Sequence, residues 1–462
     1  MVSNTPAGNG HTASAPPEAW EPLHRFARLA GQPLERFLRI EAAGGILLWV
    51  SAAIALAWAN SPWAESYASL WHTPLGIRLG GFAFERSLEW FVNDALMVVF
   101  FFVVGMEIRR EVHHGELSQW RRAALPVVAA LGGMLAPAGL YLLLAGAPAT
   151  RSGWGVPMAT DIAFAVGIVT LLGKRVPAAL RVLLLAIAVI DDLGAIVVIA
   201  LFYSDGLAFT GLLLAAAGLG GVVAMQRFGV RIKVAYIAPA VLAWAGILMA
   251  GIHPTIAGVI VGVMTPVRAW LGQEGFVAHV RSELEHLSKV GPELSSHQLA
   301  EALRHVDDSR REAMSPAESL IATLHPWVAF GIMPVFALAN AGVSLSGAPL
   351  DAESFRVMGA VALGLIVGKP LGILVATLPV GLTMRHLVVL GVVAGVGFTM
   401  ALFIAALAFS DAGQLAAAKL GVMVASGVAA VLALVLGRVL LKPTETIGAA
   451  VSADEAESST EM

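Results

Sequence analysis

The segment from Val182 to Phe202 places two adjacent carboxylates in the middle of an otherwise apolar stretch. It reads VLLLAIAVIDDLGAIVVIALF, with Asp191 and Asp192 near its centre. This stretch is long enough to cross a bilayer, because a spanning helix needs about 20 apolar residues. A charge at the bilayer centre costs about 2.5–3.5 kcal/mol on insertion scales, and neighbouring carboxylates also repel each other. We therefore infer that a cation or a proton offsets the charge of this pair.

The composition is that of a polytopic membrane protein. Of its 462 residues, 58% are hydrophobic and 13% are charged, whereas soluble domains contain about 25% charged residues. The absence of cysteine excludes disulfides, thiolate metal sites and a cysteine nucleophile. The net charge of -3 indicates neither nucleic acid nor an acidic partner. The first 40 residues lack an apolar core followed by small residues, so no cleavable signal peptide is expected.

Apolar segments follow one another in series, which predicts an all-α polytopic membrane protein in the lipid bilayer. Lys and Arg test the number of spans, since cytoplasmic loops are enriched in them. With the N-terminus inside, 23 of the 29 Lys and Arg residues lie in inside segments and 5 in outside loops. Both termini are therefore predicted to be cytoplasmic. The twelve expected transmembrane helices lie near 41–60, 88–108, 124–145, 156–173, 182–203, 208–226, 234–250, 253–267, 324–344, 358–380, 387–410 and 415–440.

Three polar regions flank or interrupt the predicted twelve-helix domain at 41–442. The N-terminal tail, 1–40, is expected to be disordered to about residue 33 and then to form an interfacial helix carrying Arg36 and Arg39. The cytoplasmic insert, 268–323, contains an amphipathic pattern from Gln298 to Met314 that predicts a surface helix. The acidic, Ser/Thr-rich tail, 443–462, is expected to be disordered.

Residues 75–88, between the first two spans, read LGIRLGGFAFERSL. Two short alternating runs flank Gly80-Gly81, which is the signal of a small β-hairpin with a two-residue turn. An ordinary loop is the alternative interpretation.

Polar residues and glycines interrupt two of the spans. In 156–173 the polar Thr160-Asp161 lies inside VPMATDIAFAVG, and in 387–410 several glycines crowd VVLGVVAGVGFTMALFI. Most of the 48 glycines are expected only to let helices approach closely. Interruptions at matching places in two halves of a chain instead indicate discontinuous helices, which mark transporter binding sites.

Asp161, Asp191, Asp192 and Lys369 lie at mid-membrane depth, where ionisable residues are usually functional. The alternative is a charge-paired set that only fixes helix packing. Asp191 and Asp192 point about 100° apart on a helix, so one can face a water-filled cavity while the other turns toward Lys369. A proton and a hard cation such as Na+ or Li+ then compete for the same oxygens, with the Thr160 hydroxyl as a further ligand. Exclusive occupancy produces antiport, although the coupled proton can be carried by the lysine or by an aspartate.

Other polar groups lie nearer the ends of the spans. Glu107 and Glu111 are one helical turn apart at the cytoplasmic end of the second span, where they either attract cations or form a solvated helix end. Asp94 lies near the outer end of the same span. His253 opens the eighth span, where packing or capping is the alternative to a pH-linked role.

At these residues the chain resembles the NhaA-type Na+/H+ antiporters. The matching stretches run from the second span to the eleventh and exclude both tails and residues 268–314. They are FVNDALMVVFFFVVGMEIRREV (91–112), PMATDIAFAVG (157–167), AIAVIDDLGAIVVIA (186–200), GIHPTIAGVIVG (251–262), HPWVAFGIMPVFALANAGVSL (325–345), GKPLGI (368–373) and GFTMALFIAALAF (397–409).

The resemblance implies twelve spans with inverted repeats, here about 124–203 and 358–440, and two broken helices that cross. It implies a secondary transporter rather than an enzyme, which exchanges Na+ (or Li+) for H+ electrogenically in the bacterial inner membrane, with no cofactor beyond these ions. Asp191 and Asp192 match the family's ion-binding pair, with Asp192 as the principal ligand. Asp161 matches the residue that balances positive helix ends, and Lys369 the lysine near the site. Family dimers pair through a hairpin after the first span, so a homodimer through residues 75–88 is expected.

The cytoplasmic pH-sensing region departs from the family pattern. At the start of the ninth span the family usually carries a lysine and a glutamate, where this chain has Glu318 and Ile321, although His325 is kept. An intact ion site with a shifted pH response is therefore expected, and Glu107, Glu111, Glu318 and His325 are the candidates for that response.

Three other classes of function have to be distinguished from antiport. An intramembrane aspartyl hydrolase normally takes its two carboxylates from different helices, whereas the strongest pair here is adjacent, and a GxGD-type segment is missing. A channel has a continuous pore, so its cation flux would not depend on a pH gradient. A proton-coupled carrier of an organic solute would need a larger polar pocket than these few groups suggest.

Overall fold

The computed structural model describes residues 43–80, 82–204, 206–290, 295–344, 351–378 and 383–441. Helices dominate this part of the chain, and its one sheet is two-stranded. The expectations for the tails at 1–40 and 443–462, including the interfacial helix, lie outside the described residues. The helices are α1 Ala43–Ala59, α2 Ala64–His72, α3 Leu88–His114, α4 Trp120–Ala145, α5 Ile162–Leu172, α6 Ala178–Phe202, α7 Phe209–Arg227, α8 Lys233–Met249, α9 Thr255–Met264, α10 Gly272–Val290, α11 Ser296–Ala313, α12 Pro316–Asn340, α13 Ala352–Thr377, α14 Met384–Ala394, α15 Phe398–Ala408 and α16 Ala412–Leu440.

Seven of these helices are long and apolar enough to cross a membrane, namely α3, α4, α6, α7, α12, α13 and α16. Among the described residues the number rises to 10 if each of three bent helix pairs is one span. Two further apolar helices, α8 and α9, are shorter. The prediction of a helical polytopic membrane protein is confirmed, whereas the number twelve stays a prediction.

The predicted hairpin is present, one residue earlier than expected. Strands β1 (Pro74–Leu79) and β2 (Phe82–Ser87) pair antiparallel from Pro74↔Ser87 to Leu79↔Phe82. The turn begins at Gly80, whose φ of 59° lies in the left-handed region that glycine adopts without strain. Two residues therefore connect the strands, as the Gly80-Gly81 pair predicts.

Both predicted breaks are present. A 3₁₀ segment, Pro148–Met158, is followed by α5 after a bend of 45°, and α14 is followed by α15 after a bend of 48°. The two connections lie against each other, since the backbone N–H of Asp161 donates to the carbonyl of Val396 at 2.8 Å. Four half-helices thus end or begin at one place in the interior.

Three long helices each contain a π-helical turn, at Phe91–Leu96 in α3, Val328–Ile332 in α12 and Gly364–Gly368 in α13. Proline explains two of them. Pro334 and Pro370 each lack an N–H and crowd the carbonyl four residues earlier, which falls inside the widened turn. The turn in α3 contains Asp94 and has no proline nearby.

Helices α4 and α13 meet backbone to backbone. A side chain at Gly132 would collide with the carbonyl of Gly372, and a side chain at Gly372 would collide with the carbonyl of Gly132. Small residues at such crossings allow the close packing that stabilises helix pairs in a bilayer. This contact fixes the position of α13, which carries Lys369.

The described part of residues 268–323, the predicted cytoplasmic insert, contains α10, α11 and the start of α12. The predicted surface helix is confirmed as α11, which begins with a capping box between Ser295 and Gln298. Sequence reasoning missed α10, which packs against α11 and is joined to it by His305 and Glu283 at 3.0 Å. The Arg231 side chain, before α8, forms an ion pair with Glu312 of α11.

Candidate functional site

The adjacent carboxylates of α6 are completely enclosed. The exposed fractions of Asp191 and Asp192 are 0% and 1%. Because neighbouring residues on a helix point about 100° apart, the two side chains face different surroundings. Their contacts differ accordingly.

Asp191 faces two polar partners. Its Oδ2 atom lies 2.8 Å from the Lys369 ammonium nitrogen and accepts a hydrogen bond of 2.7 Å from the Thr160 hydroxyl. Its Oδ1 atom has no hydrogen-bond partner among the described residues. Lys369 is itself 0% exposed, so the structure places a buried ion pair where the sequence suggested one carboxylate turned toward this lysine.

Asp192 is the unusual group of the site, because neither of its carboxylate oxygens has a hydrogen-bond partner in the described part of the chain. Three other carboxylates, those of Asp191, Asp161 and Glu107, act on it with negative charge, and Lys369 with positive charge. A buried ionised group without a partner is very costly and is rare in native structures. A bound proton or cation would remove that cost.

Asp161 caps two half-helices at once. Its Oδ1 atom accepts from the backbone N–H of Phe164 in α5 at 3.1 Å. Its Oδ2 atom accepts from the backbone N–H of Thr399 in α15 at 3.1 Å and from the Thr399 hydroxyl at 2.5 Å. The carboxylate therefore lies at the positive ends of both half-helices, where a negative charge is favourable.

The opposite, negative ends of the other two half-helices are also contacted. The Lys369 ammonium donates to the carbonyl of Met158, the last residue of the 3₁₀ segment. The Thr160 hydroxyl lies 3.1 Å from the carbonyl of Ala394, the last residue of α14. The Lys369 ammonium and the Thr160 hydroxyl thus face the carbonyl ends of two half-helices, while the Asp161 carboxylate faces the N–H ends of the other two.

Sequence reasoning missed two polar residues at the crossing. One is Thr399, whose position in the second residue of α15 is a recognisable signal, since polar groups near a helix start often take part in capping. The other is Ser426 of α16, whose hydroxyl oxygen accepts from the backbone N–H of Phe398 at 3.1 Å. No sequence signal distinguishes Ser426 from an ordinary small residue in a span.

The candidates predicted to lie at the cytoplasmic end do not contact Asp191 or Asp192 directly. Glu107 is partly buried, and the charge of Arg110 acts on both Glu107 and His325. The Glu111 carboxylate accepts from the backbone N–H of Glu116 at 2.7 Å. Glu318 forms a capping box with the residue before α12, so its carboxylate is engaged in starting that helix.

The two candidates at the other end, Asp94 and His253, lie together. The His253 Nε2 atom is 3.4 Å from the Asp94 Oδ1 atom, and the other ring nitrogen is 2.8 Å from the Thr255 hydroxyl. The sequence offered them as separate residues on two spans.

Comparison with known proteins identifies the family. The family model for "Na+/H+ antiporter 1" matches residues 35–436. The chain belongs to this antiporter family. Its curated relatives include "Na(+)/H(+) antiporter NhaA 2" of Myxococcus xanthus, 71% identical with 100% of both chains covered, and the protein of the same name of Sorangium cellulosum, 54% identical with 98% of this chain and 100% of the relative covered. One solved structure that matches is that of the sodium proton antiporter MjNhaP1 from Methanocaldococcus jannaschii. The match covers 90% of this chain and 96% of that chain, at 12% sequence identity. Its TM-score of 0.49 is too low to establish a shared fold.

The family match confirms the resemblance derived from the sequence motifs. Membership of the Na+/H+ antiporter 1 family supports Na+/H+ exchange by a multi-pass membrane protein. Among the described residues, no group of three or more His, Asp or Glu side chains is arranged to hold a metal ion.

The contacts of Asp161 lead to a stability prediction for Thr399→Val. This substitution keeps the shape of the side chain and removes a hydrogen bond to a buried carboxylate, so the free energy of unfolding should fall by about 1.5–3 kcal/mol. Thr377→Val is the matched control, because Thr377 is also fully buried but its hydroxyl donates to a neutral carbonyl of its own helix at 2.7 Å. That change should cost about 0.5–1.5 kcal/mol. Denaturation in detergent measures both, and equal losses would contradict the charged nature of the bond.

Proposed function

We propose that this protein exchanges Na+ (or Li+) for H+ by competition at Asp192, assisted by Asp191 and Thr160. The observation that carries the proposal is that neither buried Asp192 oxygen has a hydrogen-bond partner in the described part of the chain. These oxygens are free to bind either a proton or a hard cation. Family membership supports the same ions.

Competition at one carboxylate couples the two ion movements. A proton on Asp192 removes the negative charge that a cation needs, and a bound cation disfavours the proton. The empty, ionised state is the costly one, since it leaves a bare charge in an apolar interior. The site then opens to the other side of the membrane only when one of the two ions is bound, which gives exchange rather than a leak.

We assign the neighbouring residues supporting roles. Lys369 offsets the charge of Asp191 while that carboxylate is not bound to a cation, and a cation arriving at the pair weakens their attraction. Asp161 holds the positive ends of α5 and α15 beside the site. Either Lys369 or an aspartate carries the coupled proton.

The family pattern extends the proposal to the whole protein. The chain has twelve spans with inverted repeats at about 124–203 and 358–440, and both termini lie in the cytoplasm of a bacterial cell. It carries out electrogenic exchange across the inner membrane. A homodimer forms through the hairpin of β1 and β2, whose strands have unpaired edges. Glu107, Glu111, His325 and Glu318 form the cytoplasmic region that adjusts activity to pH.

Everted membrane vesicles provide the test of function. Respiration acidifies the vesicle interior and quenches a pH-sensitive dye; adding Na+ or Li+ should restore the fluorescence, whereas K+ or choline at the same concentration should not. Cation flux that persists at the same rate without a pH gradient would indicate a channel instead. Cleavage of a membrane-embedded peptide by the purified protein, without ion exchange, would indicate a hydrolase.

A further inference from the structure

Asp94 and His253 form a polar contact that the exchange at Asp192 does not use. Asp94 lies in α3 and His253 lies two residues before α9; the Asp94 Oδ1 and His253 Nε2 atoms are 3.4 Å apart, and the side chains are only 15% and 11% exposed. The preceding residue makes a second polar contact, because the Asn340 amide donates to the Asn93 side-chain oxygen at 2.7 Å. The start of α3, the segment before α9 and the end of α12 thus carry these four polar residues, which we call the cluster.

This cluster lies at the far face, which we define as the end of the bundle opposite α10 and α11. Helix α12 begins at Pro316, close to the end of α11, and ends at Asn340 in the cluster. Along α3, Asp94 precedes Glu107 by a length of about 20 Å, and Glu107 is the residue of α3 whose charge acts on Asp192. The cluster and the ion site are therefore at different depths.

An aromatic group separates the two depths. Phe403 lies about 7 Å along α15 from the residue that begins this helix beside Asp161. Its ring centroid is 5.4 Å from that of Phe101, 6.1 Å from that of Phe336 and 5.3 Å from that of His253. His253 thus contacts both the aromatic group and the Asp94 carboxylate.

The backbone at Asp94 is also unusual. The π-helical turn Phe91–Leu96 has no proline to cause it, and such turns are frequent at functional sites. In this turn Asn93 faces its partner Asn340 at the end of α12, and Asp94 faces its partner His253 before α9.

From these contacts we propose that Asp94 is a second cation-binding group, through which Na+ passes between the far face and Asp192, with His253 occupying the carboxylate when the cation is absent. This inference rests on the proposed exchange at Asp192. The carboxylate oxygens of Asp94 are suitable ligands for a hard cation, and the contact between Asn93 and Asn340 holds the start of α3 against α12 beside them. The positive charge of Arg86 in β2 also acts on Asp94, which weakens cation binding there and favours release.

Exchange measured separately at the two faces tests this assignment. Purified protein is reconstituted in one orientation, verified by protease access to α10 and α11, and the KM for Na+ is measured from each side. Asp94→Asn should raise the KM at the far face about three- to tenfold, with kcat and the KM at the other face nearly unchanged. His253→Leu should lower the far-face KM by about twofold or more, because it removes the competing group and leaves an apolar side chain against Phe403. Asp411→Asn is the control, since it removes an exposed helix-capping carboxylate by α16 with a residue that caps equally well.

The opposite signs of the two variants distinguish a binding role from a packing role. A KM that changes equally at both faces, or at neither, in Asp94→Asn would overturn the inference. If this variant does not insert, an unchanged far-face KM in His253→Leu would overturn it instead. A wild-type protein that exchanges no Na+ for H+ would refute the proposed function itself, which is a separate result.

Discussion

Asp192→Asn is expected to abolish Na+-driven proton movement while making the folded protein more stable. Replacing a residue that hydrogen-bonds to a metal ligand already lowers metal affinity or activity about 10- to 100-fold. Losing the principal ligand itself should therefore reduce exchange by more than about 100-fold. The free energy of unfolding at alkaline pH should rise by about 1 kcal/mol or more, because the variant no longer buries a bare charge. Dye dequenching in everted vesicles and thermal denaturation of the purified protein measure the two effects.

The matched control for this prediction is Asp351→Asn. Asp351 caps the start of α13, where its Oδ1 atom accepts from the backbone N–H of Ser354 at 2.7 Å. It lies outside the spans, and asparagine caps a helix about as well as aspartate, so exchange should be retained. Undiminished exchange in Asp192→Asn would contradict the assignment of the ion-binding group, whatever the stability shows.

Lys369→Met should cause the largest loss of stability. The substitution removes the ammonium that pairs with Asp191 and contacts the carbonyl of Met158, which leaves a carboxylate unpaired in the interior. Breaking a buried pair in this way typically costs about 3–5 kcal/mol. The free energy of unfolding in detergent, measured by denaturant titration, should fall by an amount in this range.

A second substitution should reverse that loss. In the double variant Lys369→Met, Asp191→Asn, no bare charge is left at this pair, so most of the lost stability should return, and the non-additivity of the two changes measures the coupling. Lys419→Met is the control, because Lys419 also lies within a span, in α16, but the carboxylate that acts on it, Glu89, forms no salt bridge with it among the described contacts. Equal losses for both lysine substitutions would show that the contact with Asp191 has no special energetic role.

Much of the arrangement is predictable because membrane burial leaves few alternatives for polar residues. Asp191 and Asp192 are conspicuous in an apolar segment. Thr160-Asp161 predicts a break because a polar pair in the middle of a continuous span is costly. The hairpin is predictable from Gly80-Gly81, whose turn needs a backbone conformation that glycine adopts easily. These features depend on local sequence and on the cost of exposing polar groups to lipid.

Other parts depend on contacts between distant segments and were not predictable. Nothing in the sequence around Ser426 indicates that it accepts from the first residue of α15. The proximity of Asp94 and His253 depends on how α3 packs against α9, and a list of polar residues does not contain that information. Helix α10 was missed because its charged residues resemble a solvated loop, although its apolar residues acquire a partner in α11.

The glycine contact between α4 and α13 has a consequence for the transport cycle. Since no side chain lies between Gly132 and Gly372, these two helices have no flexible layer along which they could slide. Lys369 is therefore expected to travel with α4 as one rigid body whenever the protein changes its open side. The hinges of that motion are then expected at the connections that interrupt the broken helices, so locking α4 to α13 with a cross-link should leave turnover intact.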